Sequence, residues 1–145
     1  MPLNSKSGDA DRKPDLKNGA NSGVLTLLVA EDEDVLRVLT ARILRREGYV
    51  VLEAQSAEAA LEDQQAQMGR VDVLVSDVNL SGADGFQLFS WLRRFNPRLK
   101  AVFMSGSCRD SAMKSDQLPP GTLFLEKPFD ARGLVSAIRE AVRPT

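Results

Sequence analysis

Five predominantly apolar runs, separated by segments with helical signals, constrain this 145-residue chain more than any other feature. The runs are VLTLLVA (24–30), YVVLEA (49–54), VDVLVSD (71–77), LKAVFMSG (99–106) and TLFLEKP (122–128). A short run without polar alternation is the pattern of a strand covered on both faces. Between the first two runs, residues 34–47 carry Leu36, Leu39 and Ile43 at helical spacing, and Gly48 supplies a stop. Residues 56–68 predict a helix with Ser56 as N-cap. Residues 84–95 predict another, opened by Asp84 with Gln87 three positions on, and closed by Asn96-Pro97. Residues 107–118 are Ser-rich and weakly helical. Residues 130–143 place Leu134, Ile138 and Ala141 on one face, with Asp130 at the cap.

Strands alternating with helices imply a parallel sheet with helices on both faces. The fold class expected is therefore α/β, a three-layer (βα)5 sandwich. Right-handed crossovers favour the flavodoxin-like strand order 2-1-3-4-5 at this length. Residues 1–23 are rich in Ser, Asn, Asp, Lys and Gly without apolar periodicity, and read as a flexible polar tail or linker before one domain over 24–145. The formal net charge of -1 gives no bulk attraction for nucleic acid. No apolar run reaches the ~18 residues that span a bilayer, and no signal peptide is visible. The single cysteine, Cys108, excludes an internal disulfide and fits a reducing, cytoplasmic setting; without companion ligands it reads as inert. The chain has no histidine, which removes histidine metal sites, Ser-His-Asp triads and any phosphohistidine donor within it.

In the 2-1-3-4-5 order the topological switch point lies between strands 1 and 3, and a site is expected beyond their C-terminal ends. Glu31-Asp32-Glu33-Asp34 follows the first strand, Asp77 and then Asn79 the third, Ser105-Gly106 the fourth and Lys127-Pro128 the fifth. Glu31, Asp32 and Asp77 should converge there. Three carboxylates in one crevice repel each other. A hard divalent cation relieves that repulsion, and oxygen-only ligands favour Mg2+, with Mn2+ the other candidate. The same set suits one chemistry: an aspartate can carry a phosphoryl group as an aspartyl phosphate. Such transfer needs in-line positioning and neutralised equatorial oxygens. The cation would meet one oxygen, Lys127 a second, and the Ser105 hydroxyl with a backbone N–H a third.

At this point the chain resembles a known family. LLVAEDED, SDVNLSGADG, FMSG and FLEKPF, in that order and each closing a predicted strand, resemble the signature of response regulator receiver domains of two-component systems over residues 24–143. The resemblance implies that Asp77 is the phosphoacceptor. It implies that Asp32 binds Mg2+ directly and Glu31 through water, with Asn79 offering its backbone carbonyl. Ser105 would contact the phosphoryl group and Lys127 would pair with it. Phe124 falls at the family's aromatic switch position, so a change of Ser105 and Phe124 would reshape the surface of the fourth helix, fifth strand and last helix. The implied partners are a histidine kinase or histidine phosphotransfer protein and a downstream protein target. The implied state is a monomer or a phosphorylation-dependent homodimer, without nucleic-acid or membrane contacts. The chain departs from the pattern in its Glu-Asp acidic pair, in Phe124, which lacks a hydroxyl, and in Ser81, where a Pro is usual; the last predicts a looser loop after Asp77.

Competing readings weigh less. Asp34 alone suits an N-cap, Asp84 is read as a cap rather than a ligand, and Phe124 is balanced between core and switch. Arg45-Arg46 and Arg93-Arg94 read as solvated helix faces, and Trp91 is assigned to neither core nor surface. A phosphohydrolase of the haloacid dehalogenase type also uses a strand-end Asp and Mg2+, but its nucleophile follows the first strand. A degenerate receiver, acting as a binding module without phosphorylation, is opposed by the intact Asp32, Asp77, Ser105 and Lys127 set. A P-loop is absent, for want of G-x-x-x-x-G-K-[ST]. The expectation is a non-enzymatic phosphoacceptor. Since no DNA-binding segment fits after Thr145, it stands alone or is the terminal receiver of a longer kinase.

Overall fold

A computed structural model describes residues 16–17, 20–21, 23–106 and 118–143. The weak helix expected over 107–118 lies, except for Leu118, outside the described residues, as do Cys108 and most of the tail expected over 1–23; within the latter, Leu16–Lys17 pairs antiparallel with Ala20–Asn21. Five parallel strands make the central sheet: β1 (Thr26–Ala30), β2 (Val50–Ala54), β3 (Val73–Asp77), β4 (Lys100–Ser105) and β5 (Leu123–Glu126). Their spatial order is β2-β1-β3-β4-β5, the expected 2-1-3-4-5. Registers such as Leu28↔Leu74 and Val75↔Val102 align the C-terminal ends of the three central strands.

The pleat sends alternate residues to opposite faces, which explains why the strands carry apolar residues on both faces. Leu28, Ala30, Leu74, Ala101 and Phe103 pack into one core layer, under α2 (Ala57–Glu62) and α3 (Gly85–Leu92). Leu27, Val29, Val73, Val75, Val102 and Met104 pack into the other, under α1 (Asp34–Arg46) and α4 (Ala131–Ala141). Phe103 is fully buried at the centre of an aromatic group, with ring centroids 4.7 Å from Phe86, 5.8 Å from Phe89 and 5.8 Å from Phe124.

Three caps match expectation. Ser56 accepts from the Ala59 amide at 3.0 Å, Asp130 accepts from Gly133 at 2.8 Å, and Asp84 forms a capping box with Gln87. Other details differ. Helix 56–68 breaks at Asp63, whose extended backbone and carboxylate cap a further turn over Gln64–Gln67; a local side-chain bond outcompetes helix continuation. α3 stops at Leu92 rather than residue 95. The N-cap of α1 is Glu33, without a side-chain bond, and Asp34 instead sits in the first turn and pairs with Arg37 at 2.8 Å. The inward stripe of α1 is Thr40, Ala41 and Leu44 rather than the Leu36, Leu39 and Ile43 line. Small side chains at positions 40 and 41 face the sheet, and Leu39 remains 49% exposed. Leu36, Leu39 and Ile43 line a shallow recess with Lys127, Pro128 and Phe129. Trp91 is partly buried. Among the described residues no helix is long and apolar enough to cross a membrane.

Candidate functional site: an acidic crevice at the switch point

β1 and β3 end side by side, and the helices that follow leave in opposite directions from the sheet. The crevice between their ends gathers Glu31, Asp32 and Asp77, one carboxylate oxygen of each lying within 4.8 Å of the other two. Glu31 is 1% exposed, Asp77 is partly buried and Asp32 lies on the open rim. Lys127 enters from beyond β5. Its Nζ donates to Asp77 Oδ2 at 2.9 Å and to Glu31 Oε1 at 3.3 Å. The backbone around it is tied by the Lys127 amide donating to the Ser105 carbonyl at 2.7 Å.

Backbone donors complete the frame. The Glu33 amide donates to Glu31 Oε2 at 3.0 Å and the Asn79 amide to Asp77 Oδ1 at 3.3 Å. Arg37 Nη1 donates to the Glu31 carbonyl at 3.0 Å, tying the first turn of α1 to the strand end. Burial raises the Glu31 carboxyl above its ordinary range; the Glu33 amide opposes this, Asp77 adds to it, and Lys127 does not overcome it. Burial would lower the Lys127 ammonium, but the hydrogen bond and charge of Asp77, then those of Glu31, outweigh it and hold the group above the usual lysine range. Three carboxylates against one ammonium leave the crevice short of positive charge. Hard oxygen donors at this spacing fit a divalent cation of the Mg2+ class.

Every candidate site residue named from the sequence lies among the described residues. Ser105 is buried at the end of β4, one residue past Met104, the register partner of Asp77. Asn79 is exposed and pairs with Asp84 in a two-residue hairpin. Phe124 is partly exposed on β5 beside Phe103, within the aromatic group. Two residues carry more than sequence reasoning assigned to them. Ser81, expected to loosen the loop after Asp77, donates its hydroxyl to Asp32 Oδ2 at 3.0 Å, and its carbonyl accepts from the Ala57 amide at 3.2 Å. Gly85 packs directly on Asp77: a Cβ there would fall 2.3 Å from the Asp77 carbonyl oxygen and 2.9 Å from Ser76 Oγ. Its amide donates to the Val78 carbonyl at 2.7 Å. No local signal distinguishes Gly85 from an ordinary first helical residue after a cap.

A doubly wound α/β domain with an acidic crevice and a facing lysine at its switch point defines a class of small α/β proteins whose site lies beyond the C-terminal strand ends. Comparison makes the class specific. Residues 27–139 match the response regulator receiver domain, and the chain belongs to that family. It is a receiver domain of two-component signalling systems. It is 35% identical over 139 residues to the sensor kinase CckA of Brucella abortus, covering 96% of this chain and 14% of that protein. The crystal structure of the receiver domain from the hybrid histidine kinase CckA superposes with a TM-score of 0.68 at 34% identity, covering 81% of this chain and 99% of that one. A response regulator receiver protein from Sinorhizobium medicae superposes with a TM-score of 0.71 at 26% identity, covering 82% and 94%. The chain thus spans about one seventh of the CckA kinase it matches.

Proposed function

We propose that Asp77 accepts a phosphoryl group from a phosphohistidine on a partner protein, in a Mg2+-dependent reaction, and that the resulting state is read by a downstream protein. The observation that carries this reading is the convergence of Glu31, Asp32 and Asp77 with the Lys127 ammonium 2.9 Å from Asp77. When bound, a divalent cation supplies charge neutralisation for the carboxylates and for one phosphoryl oxygen. Glu31 and Asp32, with Asp77 and the Asn79 carbonyl, are the residues that would hold it.

The remaining work falls to the chain's own groups. An Asp77 carboxylate oxygen forms the new O–P bond as the donor's N–P bond breaks, and the imidazole departs with its electron pair and takes a proton from solvent. Lys127 screens the Asp77 carboxylate and then pairs with a phosphoryl oxygen. The Ser105 hydroxyl donates to another. The same geometry assists hydrolysis of the acyl phosphate, so the domain influences its own dephosphorylation without turning over an external substrate. The donor must reach the rim of the crevice. Val35 at 76% and Leu39 at 49% exposure, with Pro128 and Phe129 nearby, offer an apolar landing beside it.

Phosphorylation is a local charge event that biases a two-state element. We assign that element to Ser105 and Phe124. Phe124 has no hydroxyl to donate, so its movement would act through packing against Phe86 and Phe103. A donor kinase draws on ATP, so we place the exchange in the cytoplasm, with the domain monomeric or dimerising on phosphorylation. The test is incubation with Mg2+ and acetyl phosphate. A base-labile adduct on the wild type, absent from Asp77→Asn and abolished by EDTA, is the expected result. No adduct would point to a binding module that is never phosphorylated; sustained turnover of a phosphate ester would point to a hydrolase.

A further inference from the structure

The three carboxylates of the crevice are held unequally. Glu31 is fixed by the Glu33 amide and by Lys127. Asp77 is fixed by the Asn79 amide and by Lys127. Asp32 is exposed, and among the described residues its one hydrogen-bond or ion-pair partner is the Ser81 hydroxyl, 3.0 Å from Oδ2 and 49 positions away in sequence. We infer that Ser81 is a positioning residue for Asp32, holding its carboxylate toward the crevice so that Mg2+ meets an oriented ligand rather than a free rotor.

Ser81 is suited to this although it is exposed. A serine has a single side-chain torsion to order, so its place is set by its backbone. That backbone is anchored on both sides: the Ser81 carbonyl accepts from Ala57 at the start of α2, and the pairs Asn79↔Asp84 and Leu80↔Ala83 close the hairpin around it. Gly82, at φ +94, supplies the turn that presents the hydroxyl to Asp32. A carboxylate has about four acceptor positions, so accepting from Ser81 leaves positions for a cation. Outer hydrogen bonds of this kind orient ligating carboxylates, and their loss costs about 10–100-fold in metal affinity. With both groups exposed, the low end applies. A proline at 81 retains a carbonyl that can accept from Ala57 but has no hydroxyl to offer.

The inference rests on the metal-binding reading proposed above, and the test separates the two. Mg2+ is titrated calorimetrically into the full chain, freed of metal, as wild type, Ser81→Ala, Ser81→Pro and Ser81→Thr, with thermal unfolding of each recorded. The expected result is a dissociation constant about tenfold higher for the alanine and proline variants, with threonine restored close to wild type and unfolding temperatures little changed. A proline variant that binds as wild type does would show that only turn rigidity mattered and would overturn the role given to the hydroxyl. An alanine variant with unchanged affinity, or a threonine variant without rescue, overturns it too, while the metal reading stands. A wild type that takes up no Mg2+ saturably overturns both.

Discussion

Gly85→Ala is the substitution in which fold and site are most directly joined. Gly85 opens α3 with an ordinary helical backbone, so conformational strain is not the issue. Space is. The new Cβ would sit 2.3 Å from the Asp77 carbonyl oxygen, 2.9 Å from Ser76 Oγ and 3.3 Å from the Asp77 carbonyl carbon. Two of these three neighbours are backbone atoms of Asp77 itself, which cannot swing aside as a side-chain tip can. α3 or the end of β3 must retreat by roughly 1 Å. Overpacking of this kind costs about 1–3 kcal/mol. At about 4 °C per kcal/mol for a domain of this size, the unfolding midpoint should fall by about 4–12 °C. A displacement of about 1 Å at a reacting group costs on the order of 100-fold in rate, so labelling of Asp77 by acetyl phosphate should slow by about that factor. Gly48→Ala is the control. Its φ of +96 makes a side chain there strained, yet nothing lies within 4 Å of a Cβ and it sits at the far end of α1. It should lose about 1–2 kcal/mol and keep wild-type labelling. Equal labelling of Gly85→Ala and Gly48→Ala at matched temperature would show that the fit of α3 against Asp77 does not position the site.

Lys127→Met leaves Glu31 and Asp77 facing each other without their shared ammonium; the metal-free protein should lose about 1–3 kcal/mol in urea unfolding, part of it recovered by adding Mg2+. Glu31→Gln tests the opposite sign. Because burial raises the Glu31 carboxyl above 4.5, its favourable share is present below that pH and lost as pH rises through its folded value. The metal-free glutamine variant should therefore unfold a few degrees above wild type at pH 7, with the gap closing below pH 4.5 and reversing in excess Mg2+; a gap independent of pH would contradict this. Phe103→Leu removes the ring that three others contact and should cost about 1.5 kcal/mol, read as a lowered calorimetric midpoint, with labelling retained while the domain stays folded.

Much of this was written locally. Short, mostly apolar runs bounded by turn and cap signals read as strands buried on both faces, and their order along the chain leaves one common topology. That topology places Glu31, Asp32, Asp77, Ser105 and Lys127 at one edge before any coordinate is known. Ser56, Asp84 and Asp130 act as caps because capping involves only the next three residues. The inward face of α1 was not legible, since Leu36, Leu39 and Ile43 make as regular a stripe as Thr40, Ala41 and Leu44. Which stripe meets the sheet depends on how closely the helix can approach it, and small side chains win. The break at Asp63 turned on a competition between two hydrogen-bonding choices of similar energy. The Ser81–Asp32 bond joins residues 49 apart, and the contact of Gly85 with Asp77 depends on where α3 packs. Which chemical groups reach the switch point is legible in the chain's local pattern, because period and topology act through short-range rules. How each group is held there is settled in three dimensions, because distances of a fraction of an ångström are set by packing between elements that no local pattern couples.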